Sequence, residues 1–114
     1  MINIIGGKYK GVKLKVPENF VRPTSAFKRE AIFSILESHS LKKLYDPYKD
    51  KCFIDLFAGS GSLTLEAISR GASFGYFFEL NNEVCKILSH NQDPNKETRN
   101  SDEICINQRY INSL

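Results

Sequence analysis

The stretch Cys52-Phe53-Ile54-Asp55-Leu56-Phe57-Ala58-Gly59-Ser60-Gly61, continued by Ser62-Leu63-Thr64-Leu65-Glu66-Ala67-Ile68-Ser69-Arg70-Gly71, decides the fold. Cys52 to Phe57 is a short, mostly apolar run of the kind buried on both faces of a parallel sheet. Ala58 to Gly61 is a glycine turn. Leu63 to Arg70 reads as a helix, with Gly71 placed as its C-cap. Phe74 to Phe78 predicts a second strand that ends in Glu79. Asn81 or Asn82 can cap a third helix carrying Val84, Ile87 and Leu88. Strand, glycine turn, helix, strand and helix in that order are the first half of a doubly wound α/β domain.

Upstream, Ile2, Ile4 and Ile5 precede the Gly6-Gly7 turn signal, and Val12, Leu14 and Val16 alternate with Lys13 and Lys15. This is a β-ribbon with one packed face and one lysine-bearing face, ended by Pro17. Arg22-Pro23-Thr24 opens a helix that Thr24 or Ser25 can cap, and that is expected to run to about Glu37. Phe27, Ala31 and Ile35, joined by Ile32 and Leu36, form an apolar stripe at helical spacing and predict its buried face. Residues 42–51 are polar and proline-broken, so they read as a linker. The expected division is a basic ribbon–helix segment with linker over 1–51 and a partial Rossmann-like domain over 52–114. Residues 92–102 are polar, and Glu103 to Ile106 predict a short third strand.

Composition sets bounds on class. The 114 residues, 41% hydrophobic and 25% charged, suit one small globular domain rather than a disordered tail or a fibrous rod. No run approaches the roughly 20 apolar residues of a membrane span. Cys52, Cys85 and Cys105 are too scattered for a disulfide framework or a paired-cysteine zinc site. They are expected as buried thiols in a reducing compartment, which points to the cytoplasm. The net charge of +3 conceals a split: residues 1–51 carry eleven Lys/Arg against five Asp/Glu, residues 52–114 five against eight. A basic entry segment suggests a polyanionic partner, although charged runs are commonly just solvated surface.

The glycine turn is the candidate site. Gly59 and Gly61 let the backbone approach a ligand, and the following helix presents free amides to the crevice. Glu79 lies 18 residues after Gly61, at the strand end where an acid takes the ribose hydroxyls of an adenosine-type cofactor. The plainer reading is a tight turn with Glu79 merely solvated. A dinucleotide fingerprint wants a third glycine where Thr64 stands; a P-loop wants Gly-Lys-Ser/Thr after the turn; a nucleophile elbow wants glycines where Ala58 and Ser62 stand. An acidic strand residue and a short glycine turn suit S-adenosylmethionine better, because that cofactor has no phosphates and meets carboxylates instead.

Ile4-Ile5-Gly6-Gly7-Lys8-Tyr9-Lys10-Gly11, Arg22-Pro23-Thr24, Arg29-Glu30-Ala31-Ile32-Phe33 and Asp55-Leu56-Phe57-Ala58-Gly59-Ser60-Gly61, with Leu65-Glu66-Ala67 and Ser69-Arg70-Gly71-Ala72, follow one another in order. Together they resemble the RsmD family of bacterial 16S ribosomal RNA (guanine-N2) methyltransferases, over residues 1 to about 91. The resemblance implies a Rossmann-like sheet preceded by a ribbon and helix. It implies that Asp55, Phe57, Ala58, Gly59, Ser60 and Gly61 hold the methionine and adenosine ends of S-adenosylmethionine, and Glu79 its ribose. Lys8, Lys10, Arg22, Lys28 and Arg29 would face 16S ribosomal RNA or the small ribosomal subunit. No metal, no membrane contact and a monomeric state are expected.

Two departures stand out. Ala26-Phe27 replaces the Asp-Arg common in the family, and the catalytic Asp/Asn-Pro-Pro-Tyr run is absent, so no residue here is assigned a catalytic role. Asp46-Pro47-Tyr48 precedes the glycine turn and reads as a linker turn; Asp93-Pro94-Asn95 is a loop signal. At roughly 25 residues per βα unit, residues 52–114 hold about two and a half units, which suggests a truncated domain. The alternatives are a non-catalytic RNA-binding remnant of the family and a nucleotide-dependent oxidoreductase half-domain.

Overall fold

The alternation in the first seventeen residues forms a short ribbon. In the computed structural model, β1 (Ile2–Asn3) pairs antiparallel with β2 (Lys13–Leu14), Ile2 opposite Leu14. The structure describes residues 2–17, 25–56 and 59–92, and the backbone of residues 105–111. Ile4 and Leu14 are buried while Lys8, Lys10, Lys13 and Lys15 are exposed, so the ribbon packs one face as the pattern predicts. Its turn is pressed against the rest of the chain: Lys8 N–H donates to the Ser69 carbonyl at 2.7 Å. A Cβ on Gly7, whose φ is +79°, would stand 2.0 Å from that carbonyl oxygen, so no side chain is compatible with this docking.

Helix α1 (Ala26–Lys43) starts at Ser25, whose hydroxyl accepts the Lys28 N–H. It runs well past Glu37 and stops at Leu44 in the left-handed region (φ 59°). The buried face is not the one the apolar stripe predicts. Phe27 is 83% and Ile35 70% exposed, and Ile32 is exposed too. Arg29, Phe33 and Ser40 face inward instead, with Leu36 half-buried beside them. The cause is polar: the neighbouring helix offers a buried carboxylate that only the arginine-bearing face of α1 can meet.

The predicted linker is partly core. Asp46 accepts the Tyr48 and Lys49 N–H groups in a side-chain-closed turn, as expected of Asp-Pro-Tyr. Tyr48, however, is buried between Phe33 and Phe53. Its hydroxyl donates to Glu37 at 2.6 Å.

Strand β3 (Cys52–Asp55) leads into helix α2 (Ser62–Ser69), strand β4 (Phe74–Glu79), helix α3 (Asn82–Gln92) and strand β5 (Cys105–Ile111). Strands β3 and β4 are parallel, Cys52 opposite Phe74 and Asp55 opposite Phe77. Asn81 is the side chain that caps α3, accepting the Glu83 and Val84 N–H groups. Gly75 lets α2 lie close on β4, since a Cβ there would stand 2.4 Å from Thr64 Cγ2. The closeness that a third turn glycine gives dinucleotide folds is supplied from the strand instead. With the sheet beneath and the ribbon above, α2 buries seven of its eight residues, including Glu66.

Three expectations change here. Strand β3 is buried on one face only: Cys52, Ile54 and Leu56 are exposed, and Cys52 is not a buried thiol as expected. Cys85 is buried. The third strand is longer than predicted and antiparallel to β4, with Glu79 opposite Cys105.

Candidate functional site

The parallel strands β3 and β4 end side by side, and Gly59 and Glu79 on the two turns leaving them meet in one rim. Gly61, with φ +85°, begins α2 in the left-handed region that favours glycine. A Cβ there would also stand 2.5 Å from Leu88 Cδ1, so both conformation and space demand glycine. At Gly59, in contrast, nothing among the described residues lies within 4 Å of where a Cβ would be. That side of the turn is open.

Glu79 closes the rim. Its Oε1 accepts the Gly59 N–H at 3.0 Å, and its Oε2 accepts the Asn81 N–H at 3.0 Å. One carboxylate thus fixes the glycine turn to the turn after β4. A carboxylate has about four acceptor sites, so among the described residues each oxygen keeps a further lone pair for a ligand hydroxyl. Asp55, half-buried at the end of β3, flanks the same rim. Ser60 is buried and its carbonyl accepts from Asn91 Nδ2 at 2.8 Å. Phe57 and Ala58 lie outside the described residues, as does Arg22.

Asn91 went unnoticed in the sequence. Its Oδ1 accepts the Lys15 N–H and its Nδ2 donates to the Lys15 carbonyl, 76 residues away, as well as to Ser60. No local signal could have revealed it, because an asparagine near a helix end is ordinary. The effect is to set Lys15 beside the glycine turn. Lys8 and Lys10 are elsewhere: the Lys8 N–H is on Ser69 at the far end of α2, about 12 Å along an eight-residue helix. They are exposed, as Lys28 is, but not on the crevice rim.

Arg29 does not face a polyanion. It is 1% exposed, and its Nη1 donates to the Asn3 carbonyl at 3.0 Å and to Glu66 Oε1 at 3.3 Å. Burial lowers its pKa, opposed by the charge of Glu66 and assisted by that of Arg70. Glu66 also accepts the Ile5 and Gly6 N–H groups, each at 2.9 Å, and Arg70 Nε at 3.0 Å. Burial also works against the Arg70 charge, but bonds to Glu37 and Glu66 outweigh it and raise its pKa. Burial and then Glu37 push the Tyr48 phenol above its ordinary value. The cluster holds ribbon, α1 and α2 together rather than presenting charge to a partner.

Comparisons with known proteins agree with this geometry. A family model described as Conserved hypothetical protein 95 matches residues 2–111. A Rickettsia prowazekii protein named a methylase is 41% identical over 92 residues, covering 78% of this chain and 38% of its own length. Ribosomal RNA small subunit methyltransferase D of Escherichia coli K12 is 38% identical over 91 residues, covering 79% and 42%. The solved structure of yhhF from Escherichia coli, named provisionally as a methyltransferase, superposes with a TM-score of 0.65 at 35% identity, covering 82% of this chain and 46% of that one. The chain therefore spans less than half the length of these relatives, and its sheet and helices are part of a Rossmann-like methyltransferase fold. Ribbon, glycine turn and matched extent together place this chain in the RsmD-type family that the Conserved hypothetical protein 95 model describes.

Proposed function

We propose that this chain carries the cofactor-holding part of an S-adenosylmethionine-dependent methyltransferase acting on 16S ribosomal RNA, at the N2 amine of a guanine. The observation that carries this reading is Glu79: a carboxylate fixed by Gly59 and Asn81 at the parallel strand ends, with lone pairs left over beside open space among the described residues. Those features fit a ribose diol. When bound, S-adenosylmethionine supplies an electrophilic methyl group on a sulfonium. Glu79 would hold the ribose, and Asp55 with the turn ending at Gly61 the remaining ends, so the chain's own part is to bind and orient. The name of the Escherichia coli relative suggests the ribosomal RNA substrate.

The chain has no Asp/Asn-Pro-Pro-Tyr run to hold a target amine, so methyl transfer by these 114 residues alone is not expected. Binding is tested by calorimetric titration of S-adenosylhomocysteine and, separately, NAD into a chimera. The chimera joins this chain to the portion of the Escherichia coli relative outside the aligned stretch. S-adenosylhomocysteine should bind, and Glu79→Ala should weaken it by about ten- to a thousandfold, the value of two charge-assisted hydrogen bonds. Equal binding after the substitution would reduce Glu79 to a turn brace. Tighter binding of NAD would favour the oxidoreductase reading.

A further inference from the structure

Two elements hold the glycine turn. Glu79, at the end of β4, accepts the Gly59 N–H at 3.0 Å. Helix α3 presents Leu88 and Asn91, three residues apart and so on one helix face. Leu88 packs where a Gly61 side chain would be, and Asn91 Nδ2 donates to the Ser60 carbonyl at 2.8 Å. Ser60 is 4% exposed, and among the described residues no other donor meets that carbonyl. A buried carbonyl without a donor costs free energy, so the turn would shift to find one if Asn91 were lost.

The ribbon decides how the Asn91 amide points. Oδ1 accepts the Lys15 N–H at 2.8 Å, and Nδ2 donates to the Lys15 carbonyl at 2.9 Å. A flipped amide would set its NH2 group against an N–H and its oxygen against two carbonyls. The second Nδ2 hydrogen is therefore aimed at Ser60 by the ribbon. The Ser60–Gly61 peptide is trans, so the Gly61 N–H points away from Asn91, and no acceptor among the described residues meets it. We propose that Asn91 is a positioning residue for the cofactor: through Ser60 it sets the glycine turn, and it carries the placement of the ribbon into that setting. The proposal rests on the reading of the turn as an S-adenosylmethionine site. Both amide hydrogens are spent on Lys15 and Ser60, so Asn91 acts through the turn.

The test follows amide hydrogen exchange by NMR in the wild-type chain, Asn91→Ala and Asn91→Asp. The aspartate keeps an acceptor for the Lys15 N–H but brings no donor to Ser60. In both variants the Gly59 amide should exchange about two- to tenfold faster, the value of one hydrogen bond. In the chimera with the Escherichia coli relative, both should raise the S-adenosylhomocysteine dissociation constant by about the same factor. Ser25→Ala removes the α1 cap and lowers the thermal midpoint without touching the turn, so it should leave that constant unchanged. Unchanged Gly59 exchange in both folded variants would overturn the proposal. So would unchanged affinity while Glu79→Ala still weakens binding, and the cofactor reading would then stand without it. An equal loss of affinity in Ser25→Ala, or loss of the folded circular dichroism signal in both Asn91 variants, would reduce Asn91 to a structural role and overturn it as well. A wild-type chimera that binds no S-adenosylhomocysteine defeats the cofactor reading first, and this proposal with it.

Discussion

Each oxygen of Glu66 accepts two hydrogen bonds: Ile5 N–H and Arg29 Nη1 on Oε1, Gly6 N–H and Arg70 Nε on Oε2. With four donors on it, the fully buried carboxylate is tolerable; without it, Arg29 is a buried guanidinium facing no counter-charge among the described residues. Glu66→Ala should therefore cost about 3–5 kcal/mol of unfolding free energy in urea, in the range of broken buried pairs. Glu37 gives a smaller, pH-dependent effect. Burial opposes its charge, but the Tyr48 hydroxyl and Arg70 prevail and hold the carboxyl below its ordinary 4.5. A folded pKa below the unfolded one adds stability that is complete above the unfolded value and fades as pH falls through the folded one. The gap in thermal midpoint between the wild type and Glu37→Gln should be widest above the ordinary 4.5 and narrow as the pH falls below it. At 44% exposure the side chain is well screened, so a modest gap is expected. Glu79→Ala should also lower stability with no ligand present, by about 1–3 kcal/mol, because Gly59 and Asn81 lose their acceptor.

Helix α1 carries two stripes at helical spacing, Phe27-Ala31-Ile35 and Arg29-Phe33-Leu36-Ser40, and the less apolar one is buried. Phe33→Ala should cost about 3–5 kcal/mol in chemical denaturation, while Phe27→Ala and Ile35→Ala stay within about 0.5 kcal/mol. A large loss at Phe27 would restore the apolar stripe as the buried face. The contrast marks what was legible. Strand, glycine turn, helix and strand could be read because their signals are local: an apolar run, a left-handed glycine, a capping Asn81. The orientation of α1 could not, because it depends on Glu66, 37 residues beyond Arg29. The direction of β5 was equally hidden, since an isolated strand pattern carries no arrow. In the site, Glu79 and the glycine turn were legible from spacing, whereas the bracing of one by the other and the part of Asn91 were not.

Within the ribbon, the exposed lysines divide into two groups: Lys15, with Lys13 close in sequence, on the glycine-turn side, and Lys8 with Lys10 at the far end of α2. If RNA reaches the crevice, its affinity should fall with salt at a log–log slope of about −0.7 to −0.9 per phosphate contact. Replacing Lys13 and Lys15 by Gln should then flatten that slope by about one to two units in filter binding, and more than replacing Lys8 and Lys10. The reverse order would put the RNA track at the other end of α2. The seam between ribbon and α2 has a consequence for synthesis as well. The bonds from Ile5 and Gly6 to Glu66 span 61 and 60 residues. At cellular elongation rates, the ribbon is made about 3–12 s before the helix it rests on. A two-stranded hairpin is marginal by itself in water, so the first segment made is among the last to settle. The order of manufacture and the order of assembly run in opposite directions.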